Sequence, residues 1–439
     1  KKNPEEASEQ QPFSETDRKF AKIKIALFCV LMVGGFLVGL LFFLRPAESA
    51  KEKRKLTEFP AFSIQSFLSG AYTNQISTWY ADTYPFREAL IGADQSFKSL
   101  SGFRGTQLDK GNKGDKIDTG DTRSLDDILS DLEESRKNDP ITDPAGDAEM
   151  IEGYYIVGDT AYELYAFSQM NSLKYAQLIN QAAASVSGKA KVYDLIVPLS
   201  YAVALSPETQ KKINASDCEE AIAYMYRYMD STVRTVDAMS ALRAHRNEYL
   251  YYRTDHHWTS LGARYAFEAM AAQLGISQPI QNYDTYTVST TFEGTLASRS
   301  GSHAAYDTVE LYVPQTDVEY YVSYGDAAET SATIYDRSAP EQKDKYTVFF
   351  GGNYPRVDVY TTAETGKTLL LFKDSYANCL MQFLYPYYDH IILIDPRYYY
   401  DNVESVISRE QVTDVLFLYN ANTYFEDTSL ADVLNVSEN

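Results

Sequence analysis

The chain is poor in sulfur, in tryptophan and in positive charge. Three cysteines in 439 residues make no disulfide framework. Cys29 lies in an apolar run that lacks the small-residue setting of a lipidation site. Cys218 and Cys379 remain, and sequence alone cannot bring their Cα atoms within bridging distance. Against 61 acidic residues stand 40 lysines and arginines, a net charge of −21. Nothing in that balance neutralises a phosphate backbone, so nucleic acid is excluded as a partner. Histidines number five and tryptophans two, so a place where they gather stands out. What is plentiful is tyrosine, 37 residues. It suits half-buried pleated surfaces and can also stack on sugars.

Long apolar runs are scarce too. Residues 1–22 are polar, mixed in charge and without periodicity, as a disordered cytoplasmic tail would be. Residues 25–44 then form 20 positions without a charge, about 30 Å of helix and the thickness of a bilayer core. The flanking residues 46–50 make a poor cleavage site. An uncleaved, single-pass transmembrane helix over residues 23–45 is therefore expected. Basic residues on both sides barely decide its orientation. Large domains translocate largely regardless of nearby charge, which places the remainder outside the cell membrane. Residues 46–108 form a membrane-proximal helical arm, with Tyr72, Ile76, Trp79 and Tyr80 on one helical face. Residues 109–149 are rich in glycine, proline and aspartate and read as an acidic, flexible insertion.

Residues 150–439 alternate between strand and helix patterns. Strands are expected over 192–197, 233–237, 248–252, 346–350, 368–372, 390–394 and 412–419. Helices are expected over 171–185, capped by Asn171 or Ser172, over 219–229 and over 259–274. Near-continuous apolar strands between helices predict an α/β ectodomain with a parallel sheet covered on both faces. Such sheets bind ligands beyond the carboxyl ends of their strands. Asp255, His257, Ser375 and Asn420 each follow an expected strand.

The scarce residues gather at Asp255-His256-His257-Trp258. A serine hydroxyl is a weak nucleophile until a base takes its proton, and a carboxylate fixes that base's tautomer. Asp255 with either His256 or His257 supplies both partners. Ser375 sits between a strand and a helix, where its own N–H can stabilise an oxyanion. Gly351, Gly352, Asn353, Asn420 and Asn422 are further donor candidates. The remaining histidine and Trp258 are candidate substrate contacts. Asp255, His256, His257, His303 and Asp307 have acceptable metal-ligand chemistry. Adjacent histidines seldom share one ion, so neither a metal nor another cofactor is expected.

Asp255-His256-His257-Trp258, followed much later by Lys373-Asp374-Ser375 after a strand, resembles the DHHW proteins of Gram-positive bacteria. These are related to the SGNH-hydrolase-like proteins of alginate O-acetylation, AlgX and AlgJ. Phe59-Pro60-Ala61-Phe62, residues 80–87 and residues 346–355 resemble that family as well. The resemblance implies a three-layer α/β/α SGNH-like domain with Ser375 as nucleophile, His257 as base and Asp255 as its orienter. It implies O-acetyl transfer to, or ester hydrolysis on, a cell-envelope polysaccharide, with a membrane acyl-donor protein as partner. The family's usual Gly-Asp-Ser is replaced here by Lys373-Asp374-Ser375. That departure leaves a second reading, a catalytically inactive glycan-binding or scaffold protein of the cell envelope.

Overall fold

The computed structural model describes residues 140–399 apart from 152, 302–304 and 326–329, and residues 403–426. It also describes positions 24, 34, 45–46, 48–49, 54–55, 59, 62, 72, 76, 79–80, 83–86, 130, 133–134, 136, 430 and 433–434. The chain divides into two units, Lys1–Phe103 and Arg104–Asn439.

In the first unit, β1 (Glu48–Ser49) pairs antiparallel with β2 (Arg54–Lys55). Tyr72, Ile76, Trp79 and Tyr80 are all helical, as their spacing predicts. Trp79 meets the edge of Phe59 at 4.8 Å and carries the Arg45 guanidinium 4.0 Å above its ring. Arg45 also donates to Thr83 Oγ1 at 2.6 Å. A cation over indole, held by a second bond, ties Arg45 to the residues around Trp79. Among the described residues no helix is long and apolar enough to cross a membrane. The expected span over residues 23–45 lies outside them, except for Lys24, Gly34 and Arg45.

The second unit begins with an antiparallel meander of β3 (Ala148–Ile151), β4 (Tyr154–Val157) and β5 (Thr160–Glu163). The expected insertion over 109–149 is described only at 130, 133–134, 136 and 140–149. Arg136 donates to Asp217 and Glu219, each at 2.8 Å. Asp143 accepts from Ser206 N at 2.7 Å and from Ser206 Oγ at 2.8 Å.

The main strands are β6 (Lys191–Val197) and β7 (Val233–Thr235). A separate antiparallel ribbon follows, β8 (Tyr283–Phe292) with β9 (Asp307–Pro314). Then come β10 (Tyr320–Tyr324), β11 (Thr330–Ser331), β12 (Arg356–Thr361), β13 (Thr368–Lys373), β14 (His390–Ile394) and β15 (Asp414–Asn420). Eight strands form one sheet in the order β11-β10-β12-β14-β13-β15-β6-β7.

The expectation of an all-parallel sheet needs correction. β14, β13, β15, β6 and β7 are parallel neighbours. β12, β10 and β11 add antiparallel beyond β14. The residues account for the division. Every side chain of β14 and β15 is buried, as a strand covered on both faces requires. β10 carries polar and half-exposed positions and suits an edge wetted on one side.

Phe372 of β13 faces helices Gln169–Ser185 and Val403–Arg409 across a pocket of about 200 Å³. The next residue, Lys373, reaches Asn378 of helix Tyr376–Leu384. Alternate side chains of one strand thus meet helices on opposite faces.

Three local expectations also fail. Residues 346–350 form no strand: Lys345–Val348 is a 3₁₀ turn, and Phe350 and Gly351 follow at φ 65° and 75°. Residues 248–252 join no sheet and make a single bridge, Tyr251 to Trp258. Helix Gln169–Ser185 is capped by Ser168, whose hydroxyl accepts from Asn171 N at 3.4 Å. Cys218 and Cys379 are buried free thiols.

Candidate active site

After β13 the chain moves to β14 on one side of it and then to β15 on the other. This is the switch point where an α/β sheet leaves a crevice at its strand ends. Ser375 stands there, the N-cap of helix Tyr376–Leu384. Its turn is held from below. Asp374 Oδ1 accepts from Tyr376 N at 2.9 Å, and Oδ2 accepts from Asn420 N at 2.8 Å and Asn420 Nδ2 at 2.6 Å. Burial raises the Asp374 pKa, and the Asn420 N–H partly offsets it. Lys373 is buried too. Its Nζ donates to Asn378 Oδ1 at 3.0 Å and Asn353 Oδ1 at 3.2 Å, and lies 3.6 Å from Asp395. Burial lowers its pKa, with Asp395 opposing. The lysine that replaces the expected glycine is therefore a buried brace beneath the nucleophile turn.

The loop bearing Asp255 is tied down by Asp307 of β9. That buried carboxylate accepts from Arg253 N at 2.9 Å, Thr254 N at 2.7 Å and Thr254 Oγ1 at 2.6 Å. The loop closes on itself through Tyr252 N to His257 O at 3.2 Å and Thr259 N to Leu250 O at 2.8 Å. Gly294 lies hard against it: a Cβ there would fall 2.2 Å from Asp255 Cβ.

The three expected residues meet across this gap. His257 Nδ1 lies 2.6 Å from Asp255 Oδ1, and His257 Nε2 lies 2.7 Å from Ser375 Oγ. Asp255 Oδ1 also accepts from His257 N at 3.0 Å, and Oδ2 accepts from Thr295 N at 2.8 Å. Burial alone would raise the Asp255 pKa. His256, His257 and the Thr295 N–H reverse that and hold the carboxyl well below the usual range. Tyr346 stacks on His257 at 3.8 Å and 10°, while its hydroxyl donates to Ser375 O at 2.9 Å. One tyrosine thus fixes both the imidazole plane and the serine backbone. Ser375 N–H has no protein acceptor among the described residues, so it is available to a ligand oxygen.

The other expected residues divide. His256 borders the site with 26% of its side chain exposed. Trp258 is wholly buried and donates Nε1 to Tyr376 O at 2.9 Å, so it is core and not a substrate contact. Asn420 is no free oxyanion donor, because Nδ2 is spent on Asp374 and on Thr423 Oγ1. Asn422 donates its backbone N–H to Asn420 Oδ1 at 2.9 Å and supports the same turn. The bend at Gly351, Gly352 and Asn353 rests on Asn378, whose Nδ2 is 3.5 Å from Gly352 O and 3.3 Å from Asn353 Oδ1. Tyr346 and Thr295 were missed, and Asp307 was offered only as a metal-ligand candidate, not as the tie that holds the loop. Only Tyr346 carried a signal, as the first residue of the family-like segment 346–355.

For a metal, Asp255, His256 and His257 offer ligand atoms within 4.8 Å of one another. The nearest two, Asp255 Oδ1 and His257 Nδ1, are hydrogen-bonded to each other. His303 lies outside the described residues, and Asp307 is spent on the loop.

The fold defines a class of mixed α/β protein that brings a serine, a histidine and an aspartate into line at its sheet's switch point. Within that class the chain belongs to the DHHW protein family, whose model matches residues 52–139 and 123–394. A DHHW family protein from Eubacterium siraeum is 28% identical, with a TM-score of 0.59 over 66% of this chain and 98% of that one. PatB1 of Bacillus cereus shares the fold at 16% identity and a TM-score of 0.53, over 64% of this chain and 98% of its own. The O-acetyltransferase domain of Pseudomonas putida AlgJ matches at 12% identity and a TM-score of 0.35, over 67% of this chain and all of its own. That likeness is too distant to argue from. No curated protein matches the sequence.

Proposed function

We propose that this protein is an acyl-ester enzyme of the cell envelope, an O-acetyltransferase or acetylesterase acting on a polysaccharide. One observation carries the reading: the unbroken line from Asp255 Oδ1 through His257 to Ser375 Oγ, with contacts of 2.6 Å and 2.7 Å. Ser375 attacks the acyl carbonyl and His257 Nε2 takes its proton. Asp255 keeps the imidazole in the tautomer that can do so and stabilises the imidazolium that forms. The developing oxyanion turns to Ser375 N–H at the helix start. Attack on the acyl-enzyme by a sugar hydroxyl is transfer, and attack by water is hydrolysis. The polysaccharide, the membrane acyl-donor partner, the single-pass anchor over residues 23–45 and the placement outside the cell membrane belong to the same proposal. AlgJ is described as an O-acetyltransferase domain, and the proposal agrees with that description without depending on it.

PatB1 of Bacillus cereus is also known with a sulfonyl adduct, so a sulfonyl fluoride is a fitting probe. Wild-type protein should be labelled, and Ser375→Ala should not. Release of 4-nitrophenol from 4-nitrophenyl acetate should follow the same pattern. A folded wild-type protein that neither labels nor turns over would favour the scaffold reading.

A further inference from the structure

His256 is the one polar residue of Asp255-His256-His257-Trp258 to which the ester chemistry assigns no part. Its surroundings fix its tautomer. Nδ1 lies 2.6 Å from Thr295 Oγ1, and that hydroxyl lies 3.1 Å from Asp255 Oδ2. A hydroxyl has one proton, and an ionised carboxylate can only accept. Both contacts are hydrogen bonds only when His256 Nδ1–H donates to Thr295 Oγ1 and Thr295 donates to Asp255. Nε2 is then left as a bare acceptor. Burial, and next the neighbouring His257, lower the His256 pKa to about 4, so the ring is neutral at pH 7. Nε2 has no protein partner among the described residues, although a quarter of the side chain is open to solvent. Glu163 and Arg299 also act on the ring, with opposite signs.

The direction in which Nε2 points follows from the same contacts. His256 Nδ1 is 3.7 Å from Asp255 Oδ1, the oxygen that His257 Nδ1 meets at 2.6 Å. The ring centroids are 3.9 Å apart and the rings are tilted by 37°. Both imidazoles turn their Nδ1 edges to one carboxylate, so both Nε2 edges open away from it. On that side Ser375 Oγ meets His257 Nε2.

We propose that His256 is the acceptor-specificity residue of this site, and that its Nε2 takes a hydrogen bond from one hydroxyl of a vicinal diol such as a sugar presents. The neighbouring hydroxyl gives its proton to His257 Nε2 and attacks the acyl carbon on Ser375. The new carbon–oxygen bond forms, the bond to Ser375 Oγ breaks, and His257 returns the proton to that oxygen. Water and a simple alcohol have no second hydroxyl for His256. The site therefore favours diols over both, a selectivity that rests on the acyl-ester reading above.

Partitioning of the acetyl group tests this, with the full chain, 4-nitrophenyl acetate as donor, and glycerol or methanol as acceptor. His256→Phe keeps a flat ring and removes the acceptor atom. It should lower acetyl transfer to glycerol, relative to 4-nitrophenol released, about fivefold to tenfold. The ratio of glycerol transfer to methanol transfer should fall by the same factor, whatever happens to Ser375 acylation, because both acceptors draw on one acyl-enzyme. His256→Gln, which restores an acceptor oxygen, should recover part of the loss, and His256→Ala serves if the phenylalanine variant misfolds. An unchanged glycerol partition, or an equal fall for methanol, overturns the proposal while leaving the ester reading in place. A wild-type enzyme without Ser375-dependent release would bring down both, and that is a different result.

Discussion

Two aspartate–histidine pairs lie buried in the second unit, and they differ in what surrounds them. Asp255 meets His257 at 2.6 Å; Asp358 meets His390 at 2.8 Å. Each imidazole stacks on a tyrosine, His257 on Tyr346 at 3.8 Å and His390 on Tyr360 at 4.2 Å. The difference lies in what else the aspartate touches. Asp358 is gripped by both arms of Arg356, each at 2.7 Å, in the middle of the β12–β14 ladder. Among the described residues no guanidinium pairs with Asp255; its partners are Thr295 and two imidazoles. A carboxylate already neutralised by arginine has little left with which to stabilise an imidazolium. One held only by neutral donors keeps its charge for that purpose. An Asp–His contact alone therefore does not mark a site. The marks are the third group on the far nitrogen and a carboxylate without a competing cation.

Mutations can break or sharpen this contrast. Ser375→Ala and Asp255→Asn should each lower kcat for 4-nitrophenyl acetate by about a thousandfold or more, with unchanged circular dichroism. Asp358→Asn should leave turnover per folded molecule within about twofold and instead cost about 1–2 kcal/mol of stability, because it leaves Arg356 only the longer contact to Glu410 at 3.4 Å. If Asp358→Asn abolishes turnover in folded protein, the contrast fails. Tyr346→Phe keeps the stack on His257 but loses the bond to Ser375 O. A fall in kcat of about threefold to tenfold is expected, with little change in thermal midpoint.

The smallest effect concerns pH. Asp255 and Asp358 have pKa values below the usual range, against the pull of burial. Their contribution is full above the unfolded value of about 4 and fades as pH falls toward the folded values. Asp194 is the opposite case. It is buried in β6 with Tyr424 on one oxygen and no partner on the other, and burial pushes its pKa up to about 8. The folded chain then holds a proton that the unfolded chain loses, so stability falls as pH rises from about 4 to about 8. Asp194→Asn should flatten that slope in denaturant titrations at several pH values. A slope unchanged by the substitution would mean that Asp194 is ionised in the fold.

Where the sequence was legible, one element's own pattern carried the information. The apolar runs at Leu369-Leu370-Leu371 and Ile391-Ile392-Leu393 are central strands because covering both faces leaves no polar position. Tyr72, Ile76, Trp79 and Tyr80 are helical, as their local spacing predicts. Residues 346–350 were misread because an apolar run does not distinguish a strand from a buried turn. The positive φ at Phe350 and Gly351 turns the chain, and Gly352 and Asn353 then meet Asn378.

The sequence by itself singled out Asp255, His257 and Ser375 as candidates, from their types, their spacing and their family setting, and the fold brings the three within hydrogen-bond reach. Tertiary structure decided the rest. It folded Trp258 into the core, spent the Asn420 amide on Asp374, and set Tyr346 against His257 and Thr295 against His256. The physical reason is the range of the interactions. Side-chain type and period act within a few residues, whereas hydrogen-bond partners 39 to 118 positions apart meet only when the sheet and its loops close.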